Sequence, residues 1–210
     1  TISWSIIRQY DDSSVTDFSI TINRDGSAWY SGSASSATDS FSTVGKHTYT
    51  CASVTDNTYG LTAFDANSID VIWDRLVVTL SVDDSRVNVG DTVTISWTVK
   101  YEYDNTAESS FSITINRDGS SWYSGSASSA TDSFTGVGKH DYSVASITGN
   151  TYGITAFTAN TISVIWDKLT VTLSVSDDRV NVGDSVTISW SIIRQYDNSQ
   201  VTDFSITRIS

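Results

Sequence analysis

The residues best suited to acid–base chemistry in this sequence are its two histidines, His47 and His140. Each follows the same Val-Gly-Lys tripeptide, and they stand 93 residues apart in two copies of one repeat. They therefore hold the same strand position in successive copies and do not form a pair in one pocket. The sequence also has no glycine-rich phosphate loop, no zinc-ligand spacing and no nucleophile elbow. We expect structural histidines, assign no catalytic residue and predict that the chain is not an enzyme.

Aspartates beside two predicted turns are the residues that could hold a metal ion. Their carboxylates are hard oxygen ligands of the kind that Ca²⁺ prefers, and a bound ion could stiffen adjacent domains. The two groups are Asp74, Asp83, Asp84 and Asp91, then Asp167, Asp177, Asp178 and Asp184. Their spacing matches no defined calcium loop, and Ser176 stands where the first copy has Asp83. Solvated turn carboxylates are the preferred interpretation, so no cofactor is assigned and calcium stays the alternative.

Two aromatic pairs, Trp29-Tyr30 and Trp122-Tyr123, are the candidate interaction residues. They could form an exposed shelf for a sugar or for another filament strand. Because successive side chains of a strand point to opposite faces, we expect one ring of each pair to be buried and the other exposed. The alternative is that the aromatics cover the edge of the fold.

Composition limits the classes of partner. The chain has 12 basic and 24 acidic residues, and its net charge of −12 argues against nucleic acid and anionic membrane surfaces. No apolar run is long enough to span a bilayer, and the first residues do not form a signal peptide. The absence of Met indicates a piece of a longer precursor. Cys51 is the single cysteine, and Val144 at its repeat position predicts a small core residue.

A repeat of 93 residues organises the whole chain. The motif Thr-Ile-Ser-Trp begins at Thr1, Thr94 and Thr187, and 65 of the 93 positions are identical between residues 1–93 and 94–186. Such a fixed period indicates an array of one structural unit. Residues 187–207 differ from residues 1–21 at only two positions, which favours a period of two domains of alternating type.

Large side chains at every second residue predict β-strands through each copy. Within one copy the pattern predicts a first strand at 76–82, a second strand through Trp97 and a third strand with Phe111 and Ile113 facing inward. It predicts later strands at 139–144 and 162–166. The Asp118-Gly119 pair predicts a tight hairpin turn before an edge strand that carries Trp122. About seven short strands without a helical pattern predict an all-β protein of tandem immunoglobulin-like Greek-key sandwiches.

The junctions between copies carry strand directly into strand. Only Asp74-Arg75 separates the predicted strands ending at Trp73 and beginning at Leu76, and Asp167-Lys168 does the same in the next copy. Neither junction has the composition of a flexible linker. The sequence therefore predicts a stiff seam between successive sandwiches.

Two motifs resemble the tandem immunoglobulin-like repeats of bacterial and archaeal surface proteins. They are Gly-Asp-Thr-Val-Thr-Ile-Ser-Trp at 90–97 and Val-Gly-Lys-His-Thr-Tyr-Thr-Cys at 44–51. The resemblance implies a tyrosine corner at Tyr49 and, in the next copy, at Tyr142. It also implies an extracellular or cell-surface stalk, adhesin or filament module. The chain departs from antibody-type domains because no cysteine on the second strand faces Cys51.

The expected domain boundaries do not coincide with the first and last residues of the sequence. We expect residues 1–75 to form a domain without its first strand, 76–168 a complete domain, and 169–210 the first strands of another. Either the chain is a window on a longer array, which we favour, or subunits lend strands to one another. Arg208 stands where the other copies have Ile22 and Ile115, which breaks the core pattern at the end of the chain.

We expect a mechanical function. Many domains joined by linkerless seams would form a stalk, surface array or filament, with other copies or adjacent repeats as head-to-tail partners. The alternative is an adhesin module that grips a glycan or a protein through Trp29 and Trp122. Elongated particles would favour the first, and tryptophan fluorescence that responds to sugars would favour the second.

Overall fold

The computed structural model describes residues 1–205, and every regular element in that range is a β-strand. Arg208 lies outside the described residues. The chain forms two compact units. Unit 1 comprises Thr1–Arg75 with Tyr101–Thr106, and unit 2 comprises Leu76–Lys100 with the described residues from Ala107 onward. Within residues 1–205, no helix has the length and apolar character needed to cross a membrane.

The strands before Arg75 are β1 (Ile2–Ser3), β2 (Ser19–Arg24), β3 (Ser27–Gly32), β4 (Ser36–Ala37), β5 (Gly45–Thr55) and β6 (Ser68–Trp73). The strands from Leu76 onward are β7 (Leu76–Val82), β8 (Arg86–Asn88), β9 (Thr92–Tyr101), β10 (Ser112–Arg117), β11 (Ser120–Gly125), β12 (Ser129–Ser133), β13 (Gly138–Thr148), β14 (Phe157–Ala159), β15 (Ile162–Asp167), β16 (Leu169–Val175) and β17 (Ile188–Arg194). Two residues separate β6 from β7, and one separates β15 from β16.

Unit 2 contains a two-sheet sandwich. One sheet has the strand order β12-β9-β7-β14, and the other has the order β11-β10-β13-β15-β8. Apart from the β10–β11 hairpin, strands that follow one another from β7 to β15 lie in different sheets, so the chain crosses repeatedly between the two layers. This arrangement confirms the predicted all-β, immunoglobulin-like Greek-key sandwich.

Alternating apolar residues fill the sandwich core of unit 2. The side chains of Leu76, Val78 and Leu80 on β7 are at most 2% exposed, while Thr79 between them is exposed. Large residues of both sheets complete the core: Ile95, Ile113, Ile115, Tyr142, Val164 and Trp166. The period-two pattern thus selects the buried face of each strand.

The hairpin turns confirm the role of the Asp-Gly pairs. Asp118 and Gly119 have φ values of 51° and 80°, and Asp25 and Gly26 in unit 1 have 52° and 81°. Positive φ at two successive positions is what a two-residue turn with the twist of the flanking strands requires. Each turn joins an antiparallel pair, β10–β11 or β2–β3.

Two short strands of unit 2 were not predicted. Strand β8 pairs in parallel with β15, and β14 pairs in parallel with β7. Each has three residues, which is too short for an alternating pattern to emerge in the sequence. Both lie at the edges of their sheets.

Unit 1 has the same strand arrangement in its larger sheet. Its order β3-β2-β5-β6 corresponds to β11-β10-β13-β15 of unit 2, and β1 pairs with β4. Its core includes Ile20, Ile22 and Tyr49. Cys51 packs against this core as a half-buried side chain, and burial raises the pKa of its thiol. The predicted role of Cys51 as a small core residue agrees with this position.

Strands β16 and β17 form an antiparallel two-stranded sheet, with Leu169 opposite Arg194 and Val175 opposite Ile188. Its apolar side chains are largely open to solvent: Leu173 is 68% exposed and Trp190 is 46% exposed. We refer to β16 and β17 together as the terminal hairpin.

Candidate functional site

A buried carboxylate marks the seam between the sandwich of unit 2 and the terminal hairpin. The side chain of Asp167, the last residue of β15, is only 8% exposed. Its Oδ2 accepts a hydrogen bond from Nη1 of Arg86 at 2.8 Å, and its Oδ1 accepts from the backbone N–H groups of Lys168 and Tyr196, both at 2.9 Å. A buried charge is costly unless it is paired and hydrogen-bonded, and these three donors meet that condition.

The strands place these groups by their register. Strand β8 runs parallel to β15, with Arg86 opposite Ile165 and Asn88 opposite Asp167. The N–H of Val89 donates to the backbone oxygen of Asp167 at 2.9 Å. Both the backbone and the side chain of Asp167 are therefore held by the β8 segment.

Arg86 joins the sandwich to the terminal hairpin. Its Nη2 donates to Oδ2 of Asp197, in the turn after β17, at 2.8 Å, and its guanidinium lies 5.9 Å from the ring centre of Tyr196. Hydrogen bonds from Ser199 and from Arg86 hold the pKa of the Asp197 carboxyl well below its usual range. The hydrogen bond to Asp197 also raises the pKa of the Arg86 guanidinium. The guanidinium thus bridges two carboxylates, Asp167 and Asp197.

Backbone hydrogen bonds also connect the two sides of this seam. The N–H of Gln195 donates to the carbonyl oxygen of Lys168 at 2.8 Å, next to the bond from Tyr196 to Asp167. Lys168 is the single residue between β15 and β16. This seam therefore has one intervening residue and is crossed by hydrogen bonds from both the backbone and side chains.

The pattern recurs within unit 1. Oδ1 of Asp74 accepts from the N–H of Tyr103 at 3.0 Å, and the carbonyl oxygen of Arg75 accepts from the N–H of Glu102 at 2.9 Å. The Arg75 guanidinium also pairs with the Glu102 carboxylate, which lowers the pKa of Glu102. Lys168 and Gln195 replace this ion pair in the next copy. The backbone bonds are therefore shared by both seams, while the ion pairs differ.

The predicted aromatic residues are placed differently from the expectation. Both rings of each pair are half-buried. Trp122 packs edge-on against Tyr142 with the ring centres 5.1 Å apart, and the ring centres of Tyr123 and Trp97 are 4.9 Å apart. A β-bulge is the reason: Tyr123 pairs with Ile115 but Ser121 pairs with Asn116, so Trp122 is an extra residue and the alternation of faces is interrupted.

The first copy repeats these aromatic contacts. Trp29 packs edge-on against Tyr49 with the ring centres 5.1 Å apart, and the ring centres of Tyr30 and Trp4 are 5.0 Å apart. The Tyr30 hydroxyl accepts a hydrogen bond from the N–H of Ala34 at 3.0 Å, as the Tyr123 hydroxyl does from Ala127. All four rings therefore contribute to packing along the edge strands β3 and β11.

Tyr49 and Tyr142 each belong to a polar cluster that the sequence did not indicate. The Tyr142 hydroxyl donates to Oδ2 of Asp132 at 2.6 Å, and Arg117 donates to the same oxygen at 2.8 Å. The corresponding residues of the first copy are Tyr49, Asp39 and Arg24, at the same two distances. Burial and the bond to the carboxylate raise the pKa of both tyrosine hydroxyls. We refer to these as the Tyr–Asp–Arg clusters.

The histidines lie in separate units, each with its own aspartate. Nδ1 of His47 is 2.7 Å from Asp25 Oδ2, and Nδ1 of His140 is 2.6 Å from Asp118 Oδ2. These hydrogen bonds lower the pKa of both aspartates. His140 also stacks on Phe134 with the ring centres 3.6 Å apart. Each histidine therefore secures an Asp-Gly hairpin turn.

The aspartates considered as calcium ligands serve their own turns. The Asp83 carboxylate accepts hydrogen bonds from the backbone N–H groups of Asp84 and Thr94. The Asp91 carboxylate accepts one from the side-chain amide of Asn88. Asp177 and Asp184 act similarly in the next copy. Among residues 1–205, no three His, Cys, Asp or Glu side chains are grouped as a metal site would need. Calcium binding stays a hypothesis, which a comparison of the melting temperature with and without calcium would test.

No protein-family model and no curated protein sequence matches this chain. Among solved structures, the fibronectin(III)-like modules of Clostridium thermocellum CbhA are similar, with 13% sequence identity and a TM-score of 0.35. The similarity covers 72% of this chain and 78% of that chain. The assignment to the immunoglobulin-like sandwich fold therefore rests on the strand order of unit 2.

Proposed function

We propose that this chain is a structural, extracellular or cell-surface tandem-repeat protein whose sandwiches follow one another head to tail in a stalk, surface array or filament. The observation that carries the proposal is the seam of unit 2, where one residue separates β15 from β16 and Asp167 and Arg86 bond to residues on both sides. Flexible linkers let domains rotate freely, whereas a seam of this kind resists bending. Resistance to bending is what a stalk or filament needs from each repeat.

The distribution of chemistry supports a non-catalytic role. Both histidines bond to turn aspartates, and the Tyr–Asp–Arg clusters repeat in the two copies. A repeated structural arrangement suits a scaffold, because every domain then carries the same load. The glycan- or partner-binding alternative has less support, because Trp29 and Trp122 pack edge-on against core tyrosines.

Small-angle X-ray scattering tests the proposal. We expect the dilute, monomeric chain to be an elongated particle, and chains extended by one 93-residue repeat to gain a constant increment in maximum dimension. A compact particle, or an increment that shrinks with each added repeat, would contradict a stiff array. A panel of sugars added to the same samples should leave the tryptophan fluorescence unchanged; a saturable shift would favour the adhesin alternative.

A further inference from the structure

The hairpin turns beside the two histidines carry a peptide that is open to a covalent rearrangement. Asp118-Gly119 joins β10 to β11, and Asp25-Gly26 joins β2 to β3. In an Asp-Gly peptide the backbone nitrogen of the glycine can attack Cγ of the aspartate, because glycine has no Cβ to hinder the approach. These turns are therefore the places in the sequence where an aspartate side chain and the next backbone nitrogen meet with least hindrance.

This rearrangement changes the length of the backbone. A bond forms between the glycine nitrogen and Cγ, and the amide hydrogen leaves together with the carboxyl hydroxyl as water. Water then opens the resulting succinimide at either carbonyl. Opening at the backbone carbonyl gives an isoaspartate, whose side-chain carbons have become part of the main chain. Since the turn needs positive φ at two successive residues, the extra backbone carbon would disturb the hairpin.

Three hydrogen bonds hold Asp118 on strand β13 and away from its own glycine. Its backbone N–H donates to the backbone oxygen of Asp141 at 2.9 Å. Its Oδ1 accepts the backbone N–H of Asp141 at 2.9 Å, and its Oδ2 lies 2.6 Å from Nδ1 of His140. An ionised carboxylate can only accept, so Nδ1 of His140 carries the hydrogen of this bond. Both carboxylate oxygens are therefore engaged.

Packing holds the imidazole of His140 in position. It stacks on Phe134 with the ring centres 3.6 Å apart and meets Trp166 edge-on at 5.6 Å between ring centres. The His140 side chain is 18% exposed, whereas that of Asp118 is 47% exposed. The donor is thus fixed by the sandwich, while the carboxylate that it holds stays within reach of water.

The first copy repeats the arrangement. The backbone N–H of Asp25 donates to the oxygen of Thr48, and its Oδ1 accepts the N–H of Thr48, both at 2.9 Å. Its Oδ2 lies 2.7 Å from Nδ1 of His47, which stacks on Phe41 at 3.7 Å between ring centres. Thr48 stands where the second copy has Asp141, so the backbone bonds do not depend on the side chain at that position.

These bonds oppose both requirements of ring closure. The reacting form is the protonated carboxyl, because its hydroxyl has to leave. Hydrogen bonds from His140 and from the N–H of Asp141 lower the pKa of Asp118, which makes that form rarer. The side chain must also leave β13 before Cγ can reach the nitrogen of Gly119, so closure requires a local opening of the turn.

We propose that His47 and His140 protect the Asp-Gly turns from conversion to isoaspartate, each through the hydrogen bond from its Nδ1 to the turn aspartate. They are positioning residues, because they hold the carboxylate away from the glycine nitrogen. The inference rests on the two turns alone and does not depend on the proposed stiff array.

Two substitutions separate the hydrogen bond from the packing of the ring. His140→Phe retains a flat ring that can stack on Phe134 but has no donor, whereas His140→Asn loses the ring and retains an N–H donor near the position of Nδ1. During incubation at neutral pH, we expect isoaspartate at Asp118 to form about tenfold faster in His140→Phe than in the wild type. That ratio corresponds to about 1.4 kcal/mol, within the range of a single hydrogen bond. His140→Asn should stay close to the wild type.

Peptide mapping reads the two turns of one chain separately. Chymotryptic cleavage after aromatic residues gives the peptides 19–29 and 112–122, which differ only at Ala28 and Ser121 and contain one aspartate each. Mass spectrometry with electron-based fragmentation distinguishes the isoaspartyl form of each peptide. Asp25 is the internal control, because its rate should not change in His140→Phe, and His47→Phe should reverse the pattern. Circular dichroism checks that each variant is folded at the incubation temperature.

Three outcomes would overturn the proposal. Equal rates at Asp118 in the wild type and in His140→Phe would show that the bond gives no protection. A faster rate in His140→Asn than in His140→Phe would assign the protection to the stacked ring. Equal acceleration at Asp25 and Asp118 in His140→Phe would assign it to the stability of the whole chain.

Discussion

At the scale of single residues, the Tyr–Asp–Arg clusters show how the sandwich holds charge in its interior. The Asp132 side chain is 9% exposed and accepts from both Tyr142 and Arg117. Burial alone would disfavour the carboxylate, but a short bond from a hydroxyl and a second from a guanidinium compensate for the lost water. The tyrosine is the neutral member, so its hydroxyl can donate without adding charge to the core.

Replacing the tyrosine should therefore weaken unit 2. We expect Tyr142→Phe to lower the free energy of unfolding by about 2 kcal/mol, because hydrogen bonds to charged groups are worth about 1.5–3 kcal/mol and Tyr142 is fully buried. Urea denaturation measures the change. Tyr10→Phe is the matched control, because Tyr10 is 96% exposed, and its effect should stay within about 0.5 kcal/mol. Equal losses in the two variants would show that the hydroxyl contributes nothing.

The same clusters should make stability fall at alkaline pH. The pKa values of Tyr49 and Tyr142 are raised in the folded protein, so the unfolded chain releases these protons first, near pH 10. Above about pH 10 the unfolded state binds fewer protons than the folded state, and linkage then requires that the free energy of unfolding decrease as the pH rises. Below about pH 10 both states keep the proton and the contribution is constant.

Urea denaturation at a series of alkaline pH values measures this effect. We expect a shallower decline in the Tyr49→Phe, Tyr142→Phe double variant, which has lost the two shifted groups. A decline as steep as that of the wild type would assign the alkaline loss to other residues.

On the acid side, Asp39 gives a second pH effect of opposite sign. Burial works against its ionisation, but hydrogen bonds from Tyr49 and Arg24 outweigh burial and hold its pKa below the ordinary value. Its contribution to stability is present above about pH 4 and is lost as the pH falls through the lowered pKa. Asp39→Asn should reduce the slope of stability against pH below about pH 4, as measured by urea denaturation, and an unchanged slope would exclude Asp39.

At the scale of elements, the Asp-Gly turns and the edge bulges shape each sheet. The turn at Gly119 needs a positive φ, and the bulge at Trp122 turns both aromatic rings toward packed neighbours. Together they set the register of β10 and β11 and place the rings of Trp122 and Tyr123 against Tyr142 and Trp97.

The turn glycine can be tested against a glycine without that constraint. Gly119 has a φ of +80° and no neighbouring atom within 4 Å of an added Cβ, so Gly119→Ala tests backbone strain alone. We expect a loss of about 1–2 kcal/mol in the free energy of unfolding. Gly136→Ala also meets no neighbouring atom, and its φ lies outside the positive region, so it should be neutral or slightly stabilising in the same urea titration. Equal effects at the two sites would mean that the turn does not need the left-handed conformation.

The sequence predicted those elements whose signal is local. Strand β7 was predicted with its observed bounds because Leu76, Val78 and Leu80 alternate with polar or smaller residues over seven positions. Strands β8 and β14 were missed, since their pairing depends on partners that are about 80 residues distant in the chain. The bulge at Trp122 was missed as well, because a one-residue insertion is visible only against the partner strand.

The seam was predicted only in part. Its position and the absence of a linker follow from two adjacent runs in which apolar and polar residues alternate. The sequence also indicated Asp167 as a possible calcium ligand. Its partners could not be predicted, because Arg86 lies 81 residues before Asp167 and binds Asp197, 111 residues from itself. Such pairs depend on the fold that brings distant turns together.

At the scale of the whole molecule, similar neighbouring domains create a hazard that the net charge reduces. Domains with 65 of 93 residues in common can exchange strands or aggregate through their edges. A net charge of −12 on each chain opposes random contact.

Trypsin reports the stiffness of the seam, because it cleaves after Lys168 only when the flanking residues leave their sheets. Arg86→Ala leaves the Asp167 carboxylate without its ion-pair partner. A fully buried pair would cost about 3–5 kcal/mol, but the Arg86 side chain is 35% exposed, so we expect a local loss of about 1–2 kcal/mol. That loss raises the open population roughly tenfold. Cleavage after Lys168, followed by mass spectrometry, should accelerate by a similar factor.

Arg179→Ala controls for the lost charge. Arg179 holds the position of Arg86 in the next copy and is exposed, so its removal should leave the cleavage rate after Lys168 unchanged. If the wild type is cut there as rapidly as Arg86→Ala, the seam opens freely and cannot transmit stiffness from one sandwich to the next. If only Arg86→Ala is cut rapidly, the guanidinium that joins Asp167 to Asp197 is what keeps this junction closed.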